Sequence, residues 1–226
     1  EQYLNLSAVE KQAVFDKITH QINSSERFYQ YKFIDNNCTT KVVDLLNGVL
    51  SKPLETHFEG NEDTKRNILN SFLPRNYFEK LGINLVFGKN VDAYNEKVFL
   101  PEKLMHSISK TKNKDRKLEQ NDIVHFSKIP ETESVGWNSI YFFSIICLVF
   151  SFLSNVKWIQ NLYFILIAFL GLIITFVSLF TNHMELIWNE TLFLFNPLYF
   201  LLLFKKTRNV VLKMLGIAVV LFLIIS

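Results

Sequence analysis

The chain has 226 residues, 49% of them hydrophobic and 15% aromatic, with 24 Lys and Arg against 21 Asp and Glu. Residues 1–136 hold 19 of each sign, while residues 137–226 hold five cations and two acids, so the whole +3 excess lies in the second part. Nucleic-acid binding needs cations gathered on a soluble face; here the excess flanks apolar runs, as in membrane anchoring, and no nucleic-acid partner is expected.

In chain order, "LSAVEKQAVFDKITHQINSS" reads as an amphipathic helix. Ser7 and Glu10 have capping-box spacing, and Val14, Phe15, Ile18 and Ile22 form its apolar stripe. In "RFYQYKF", Tyr29, Tyr31 and Phe33 alternate as in a half-buried strand. "DNN" is turn chemistry, and from Cys38 a helix is predicted, with Val42, Leu45, Leu46 and Val49 at helical spacing and Gly48 near its end. "DTKRNILNSFLPRNYFEKLGI" predicts two short helices broken at Pro74. "NLVFGKNVD" reads as strand and turn, "FLPEKLMHSISK" as a helix starting at Pro101, and "KTKNKDRKLEQND" as a solvated charged stretch.

Four apolar runs follow, near 138–156, 160–180, 191–204 and 209–225. A helix crossing a bilayer needs about 20 residues, so the second qualifies, the first nearly does, and the third is short and holds Pro197. These bounds divide the chain into an extracytoplasmic domain, 1–136, and a membrane domain, 137–226. Lys157 follows the first run, and Lys205, Lys206, Arg208 and Lys213 follow the third, whereas "TNHMELIWNE" after the second has no Lys or Arg. The positive-inside rule puts the two basic loops in the cytoplasm. The His183 loop and the domain with Cys38 then lie outside.

The two cysteines are Cys38 and Cys147. Cys147 sits in the first apolar run, so no disulfide framework is expected and Cys38 is read as a free thiol. At a helix start, unpaired backbone N–H groups and the positive end of the helix dipole favour an anion, and the same groups can stabilise an oxyanion. Asn37 and Thr39 could support that turn. Spacing alone leaves two readings open, a nucleophile or a small buried hydrophobe. A cysteine nucleophile also needs a base, usually His. Of the five histidines, His20, His57 and His106 read as surface residues, His125 as a residue near the membrane, and His183 as the strongest candidate for a role. No His/Cys/Asp cluster shows ligand spacing, and no metal or cofactor is expected.

Three stretches resemble the family named for the lipoprotein N-acyltransferase Lnb of Bacteroides. "RFYQYKFIDNNCTTKVVDLL" is similar to its aromatic, Asn-Cys-x-Thr-Arg, Asp-Leu signature, with Lys41 where the family has Arg, a change that removes a bidentate fork. "GINLVFGKNVDAYNEKVFLPEKLM" and "TNHMELIWNETLFLFNPLYFLL" follow in the family's order. The resemblance implies an α+β chain, with a partial papain-like, permuted cysteine hydrolase domain followed by about four membrane helices in a bacterial inner membrane. It carries Cys38 over as nucleophile. It places the His base on a strand before Glu1, and with no initiator Met or signal peptide at the start a longer protein is expected. The implied reaction moves an acyl chain from a membrane phospholipid through a Cys38 thioester to the N-terminal amine of a diacylglyceryl lipoprotein. His183, Trp188, Asn189, Asn196 and Lys41 would position lipid or acceptor. The alternatives are an extracytoplasmic cysteine hydrolase acting on lipid or cell wall, and a non-catalytic membrane-anchored binding or sensor domain.

Overall fold

A computed structural model describes residues 2–122 and 136–225. They fall into two compact units: residues 2–64 with 94–122, and residues 65–93 with 136–225. Both are mostly helical, and the strands are short.

In the first unit, β1 (Gln2–Leu4) pairs antiparallel with β4 (Glu119–Asp122), bringing the two ends of the unit together. Helix α1 (Ala8–Ile22) starts at the capping box that the sequence predicts: the Ser7 and Glu10 side chains each accept from the other's backbone N–H. Helix α2 (Cys38–Asn47) follows, then α5 (Pro101–Lys110), whose first residue is the proline suited to that position. Leu46, Leu50 and Leu54 meet Ile108 and Leu118 in one core cluster. The α1 stripe is not part of that core, since Phe15 and Ile22 are 64% and 60% exposed.

Two expectations for this unit are corrected. The aromatic run before Cys38 is not a strand: residues 28–34 make one isolated bridge, Lys32 with Asn36, and alternation cannot build a strand without a neighbouring one. The stretch after α5 is not merely solvated. β2 (Lys112–Asn113) and β3 (Arg116–Lys117) form a hairpin whose central residues, Lys114 and Asp115, have φ of 50° and 63°. Two positive φ angles fit the twist of a tight hairpin turn. Leu118 beyond it is fully buried. Asn113 and Ser7 surround the Glu10 carboxylate, and Lys114 Nζ lies 3.3 Å from it. These donors, the Ser7 backbone N–H first, hold the Glu10 carboxyl far below its ordinary range, at about 2.

In the second unit, α3 (Lys65–Ser71) and α4 (Tyr77–Val86) are the two predicted helices either side of Pro74. Helix α4 runs through "NLV", which the sequence reads as strand. Leu81 and Leu85 sit one turn apart on it, a helical repeat, and no described strand lies beside the segment to pair with it. Helices α6 (Ile140–Phe152), α7 (Lys157–Phe180) and α8 (Arg208–Ile225) follow. Three segments have the length and apolar character to cross a membrane, Lys157–Phe180, Met184–Leu203 and Arg208–Ile225, and α6 is a shorter apolar helix. The middle one is a chain of 3-10 turns, Met184–Leu186, Glu190–Phe193 and Pro197–Leu203, rather than one α-helix. Helix α7 buries Ala168, Gly171 and Ile174, and turns Phe169 and Phe176 outward. A Cβ on Gly171 would lie 2.6 Å from the Asn196 Cα, so the absent side chain lets the two backbones touch.

Candidate functional site

The turn before α2 is built around Asn37, which is 5% exposed. Its Oδ1 accepts from Thr40 N–H, while Thr40 Oγ1 accepts from Asn37 N–H, both at 2.9 Å. Its Nδ2 donates to the carbonyls of Phe33 and Phe99, at 2.9 and 2.8 Å. Both amide hydrogens are thus committed to backbone, and Asn37 acts here as a turn support. Beside it, an ion pair of 3.0 Å joins Lys97 to Asp35.

This cap presents Cys38 as the first residue of a ten-residue helix, exposed and unbridged. The buried-hydrophobe reading therefore does not hold. The first-turn amides of Cys38 and Thr39 have no partner inside the helix, while the Thr39 side chain turns inward at 4% exposure. Lys41, three residues on and so on the same helix face, holds its ammonium 4.9 Å from the Tyr29 ring centroid. It lines a cleft of about 500 Å³ with Ile18, Ile22, Arg27, Phe28 and Tyr29. The aromatic run that looked like a strand supplies part of the wall of this cleft.

In the second unit, His183, Trp188 and Asn189 share the stretch between α7 and the later 3-10 turns. Trp188 is 77% exposed at φ 58°. Asn189 is buried, donating to the carbonyls of Leu85 and Val86, both at 2.8 Å, and accepting from Thr191 N–H at 2.9 Å. Asn196 caps the last 3-10 turn, its Oδ1 accepting from Leu198 N–H. Both asparagines hold backbone in place. His183 Nδ1 lies 3.9 Å from Oε2 of Glu185, a carboxylate 3% exposed. Glu185 was not singled out from the sequence, although it and Glu190 are the only acids after residue 136. His20 and His57 are 72% and 82% exposed at the side chain, and His106 is exposed. His125 lies outside the described residues. Among the described residues, no group of three His, Cys, Asp or Glu could hold a metal ion.

The capped, exposed thiol, with Lys41 on the same helix lining a mixed polar and apolar cleft, is thus the candidate site of the first unit. Residues 1–71, which include it, match the family model described as the Lnb N-terminal periplasmic domain. No curated protein and no solved structure matches the chain. Over residues 1–71 the chain is thus similar to a periplasmic domain of this type, and three candidate membrane spans lie further along it.

Proposed function

We propose that the protein is a membrane-bound acyltransferase that acylates the N-terminal amine of bacterial lipoproteins, with Cys38 as nucleophile. The observation that carries this reading is the family match over residues 1–71, with Cys38 exposed at the start of a capped helix inside it. In the first step the Cys38 thiolate adds to the carbonyl of a phospholipid ester. The backbone N–H groups of Cys38 and Thr39 are the donors for the oxyanion, because Asn37 has none to spare. The ester C–O bond breaks, a lysophospholipid leaves as the alcohol with the proton that the thiol gave up, and the acyl group stays as a thioester. In the second step the free α-amine of a diacylglyceryl lipoprotein attacks the thioester, loses its proton, and releases the thiol as the amide forms. A thioester suits this order of events, being reactive toward amines, provided that water is kept out.

The cleft supports a phospholipid as donor. Its two cations, Arg27 and Lys41, outnumber the one acid, Glu26, and are suited to a phosphate, with Gln21 as a further polar group and Ile18, Ile22, Phe28 and Tyr29 suited to the acyl chains. A partly papain-like, permuted fold for the first unit belongs to the same reading. His183 and Trp188 are assigned to the membrane side of lipid or acceptor binding.

The test is mass spectrometry of lipoprotein N-terminal peptides from cells depending on the full-length protein. Cys38→Ala and Cys38→Ser should leave the lipoprotein diacylated with a free amine. Full N-acylation in the Cys38→Ala variant overturns the assignment. Release of free fatty acid in place of amide by the unaltered protein would make it a hydrolase.

A further inference from the structure

We propose that α4 is an interfacial helix, lying in the headgroup layer of the extracytoplasmic leaflet with its apolar side toward the acyl chains. This is independent of the acyl-transfer reading.

The first ground is where α4 is fastened. At its start, Phe78 N–H donates to Asn138 Oδ1 and Asn138 Nδ2 donates to Glu79 Oε2, each at 2.8 Å. Asn138 immediately precedes Ser139, the cap of α6. At its end, the Leu85 and Val86 carbonyls accept from Asn189, and Leu85 also from Thr191 Oγ1 at 2.9 Å. Just beyond, Gly88 N–H donates to Glu185 O, Lys89 N–H to Trp188 O, and Lys89 Nζ to Ile225 O, at 2.8, 3.1 and 3.4 Å. Residues 136–139 lead into α6, residues 181–190 leave α7, and Ile225 ends α8. With Lys157–Phe180, Met184–Leu203 and Arg208–Ile225 crossing in turn, the end of α7 and the end of α8 lie on the same side, and the α4 segment links both to the start of α6. Far from them, Arg208 Nη2 donates to Gln160 Oε1 at 3.2 Å, joining the start of α8 to the start of α7. The segment carrying α4, about 15 Å long at 1.5 Å per residue, is therefore tied across the outer ends of the apolar helices.

The second ground is the pattern on α4. At roughly 100° per residue, Tyr77, Phe78, Leu81, Gly82, Leu85 and Val86 fall on one half of the helix. Glu79, Lys80 and Asn84 fall on the other, where Ile83 is the one apolar residue. Phe78 lies 6.2 Å from Phe143, in the first turn of α6, and 6.1 Å from the Trp137 ring, while Tyr77 lies 5.6 Å from Phe143. The apolar half of α4 is thus continuous with the apolar surface of α6, and its Tyr and the adjoining Trp are the residues that gather at headgroup depth. A helix with these two sides, held level with the ends of spans, fits the boundary between headgroups and chains.

The experiment places single nitroxides on the full chain, with Cys38→Ser and Cys147→Ser as background, in nanodiscs of phosphatidylethanolamine and phosphatidylglycerol. Gly82→Cys carries the test label, since a Cβ there meets nothing within 4 Å. Lys80→Cys marks the polar side, Lys11→Cys on α1 is the water reference, and Phe169→Cys on α7 is the lipid reference. Collision rates with oxygen and with a water-soluble nickel chelate are compared. The oxygen-to-nickel ratio at residue 82 should be severalfold above that at residue 11 and below that at residue 169, and at residue 80 it should approach the water reference. A water-like ratio at both 80 and 82 overturns the proposal. So does shielding of residue 82 from both reagents, which would mean that protein covers it.

Discussion

Asn37 is the residue on which the geometry around Cys38 depends most, and replacing it gives a measurable energy. Asn37→Ala removes the helix cap, worth about 1 kcal/mol. It also strips the donor from the buried Phe99 carbonyl and from the partly buried Phe33 carbonyl. Only the Phe99 carbonyl is buried, and an unsatisfied buried carbonyl costs about 1 kcal/mol at the low end, so the total loss is about 2 kcal/mol. At 1.4 kcal/mol per factor of ten this is roughly thirtyfold in local opening. Asn37→Ser keeps the capping oxygen and loses only the two donors, so its loss is about 1 kcal/mol, or about fivefold. Hydrogen exchange read by mass spectrometry on peptides covering residues 33–47 checks both, with peptides from α7 as internal reference. Exchange should quicken at the Thr40 and Lys41 amides in the order native, Ser, Ala. If Ala stays within about threefold of native, neither the cap nor the two carbonyl bonds carries weight; if Ser matches native, the cap alone holds the turn.

Lowering the pH should loosen the junction of α1 with the β2–β3 hairpin. The Glu10 carboxyl is depressed in the fold from an ordinary value of 4.5 to about 2, so its contribution is complete above 4.5 and is lost as the pH falls from there through about 2; Glu10→Gln should flatten that profile in exchange of residues 7–13. Gly171→Ala puts a Cβ 2.6 Å from the Asn196 Cα and should cost about 1–3 kcal/mol by overpacking, seen as a lower midpoint of helix loss in detergent; an unchanged midpoint would mean that the two segments are not in contact. Gly88→Ala meets the Ile187 carbonyl oxygen in the same way and should free α4 from the loop after α7, seen as faster exchange over residues 85–89. On the Cys38→Ser, Cys147→Ser background, Trp188→Cys should react with a membrane-impermeant maleimide in intact spheroplasts, and Lys206→Cys only after permeabilisation; the reverse order would invert the topology.

Much of the first unit could be read where the signal is local. A capping box is four residues, and the one read from spacing, Ser7 with Glu10, is present; the second, Asn37 with Thr40, departs from the usual Glu or Gln at its fourth position and is visible only in the structure. Pro101 fixed its helix start for the same kind of reason. What failed depended on partners elsewhere in the chain. Tyr29, Tyr31 and Phe33 alternate correctly for a strand, yet a strand exists only where another lies beside it. Asn113 looks like one more polar residue in a charged stretch, but it is 3% exposed because it donates to Glu10, 103 residues away. The function of Asn37 could be read only in half: its acceptor caps a neighbour, which spacing reveals, while its donors reach Phe99, which spacing does not.

The third apolar run shows a further limit, one of geometry. Residues 191–204 are too few for a span if each adds the 1.5 Å of an α-helix, giving about 21 Å against a hydrocarbon core of about 30 Å. The counting rule assumes that rise. The chain takes 3-10 turns over Glu190–Phe193 and Pro197–Leu203 instead, and at about 2.0 Å per residue the part of the run inside these turns reaches about 20 Å rather than about 15 Å. Pro197 and the Asn196 cap restart the turn midway, and Gly171 lets α7 lie against that break without a gap. Long 3-10 runs are disfavoured in water because their hydrogen bonds are poorer. Packed along α7, with Leu202 buried against Val211 and Leu215 of α8, the backbone here is enclosed by apolar neighbours on two sides and has little alternative to bonding within itself. A short apolar run beside a long helix bearing a glycine is therefore better judged by the length it can reach than by its residue count.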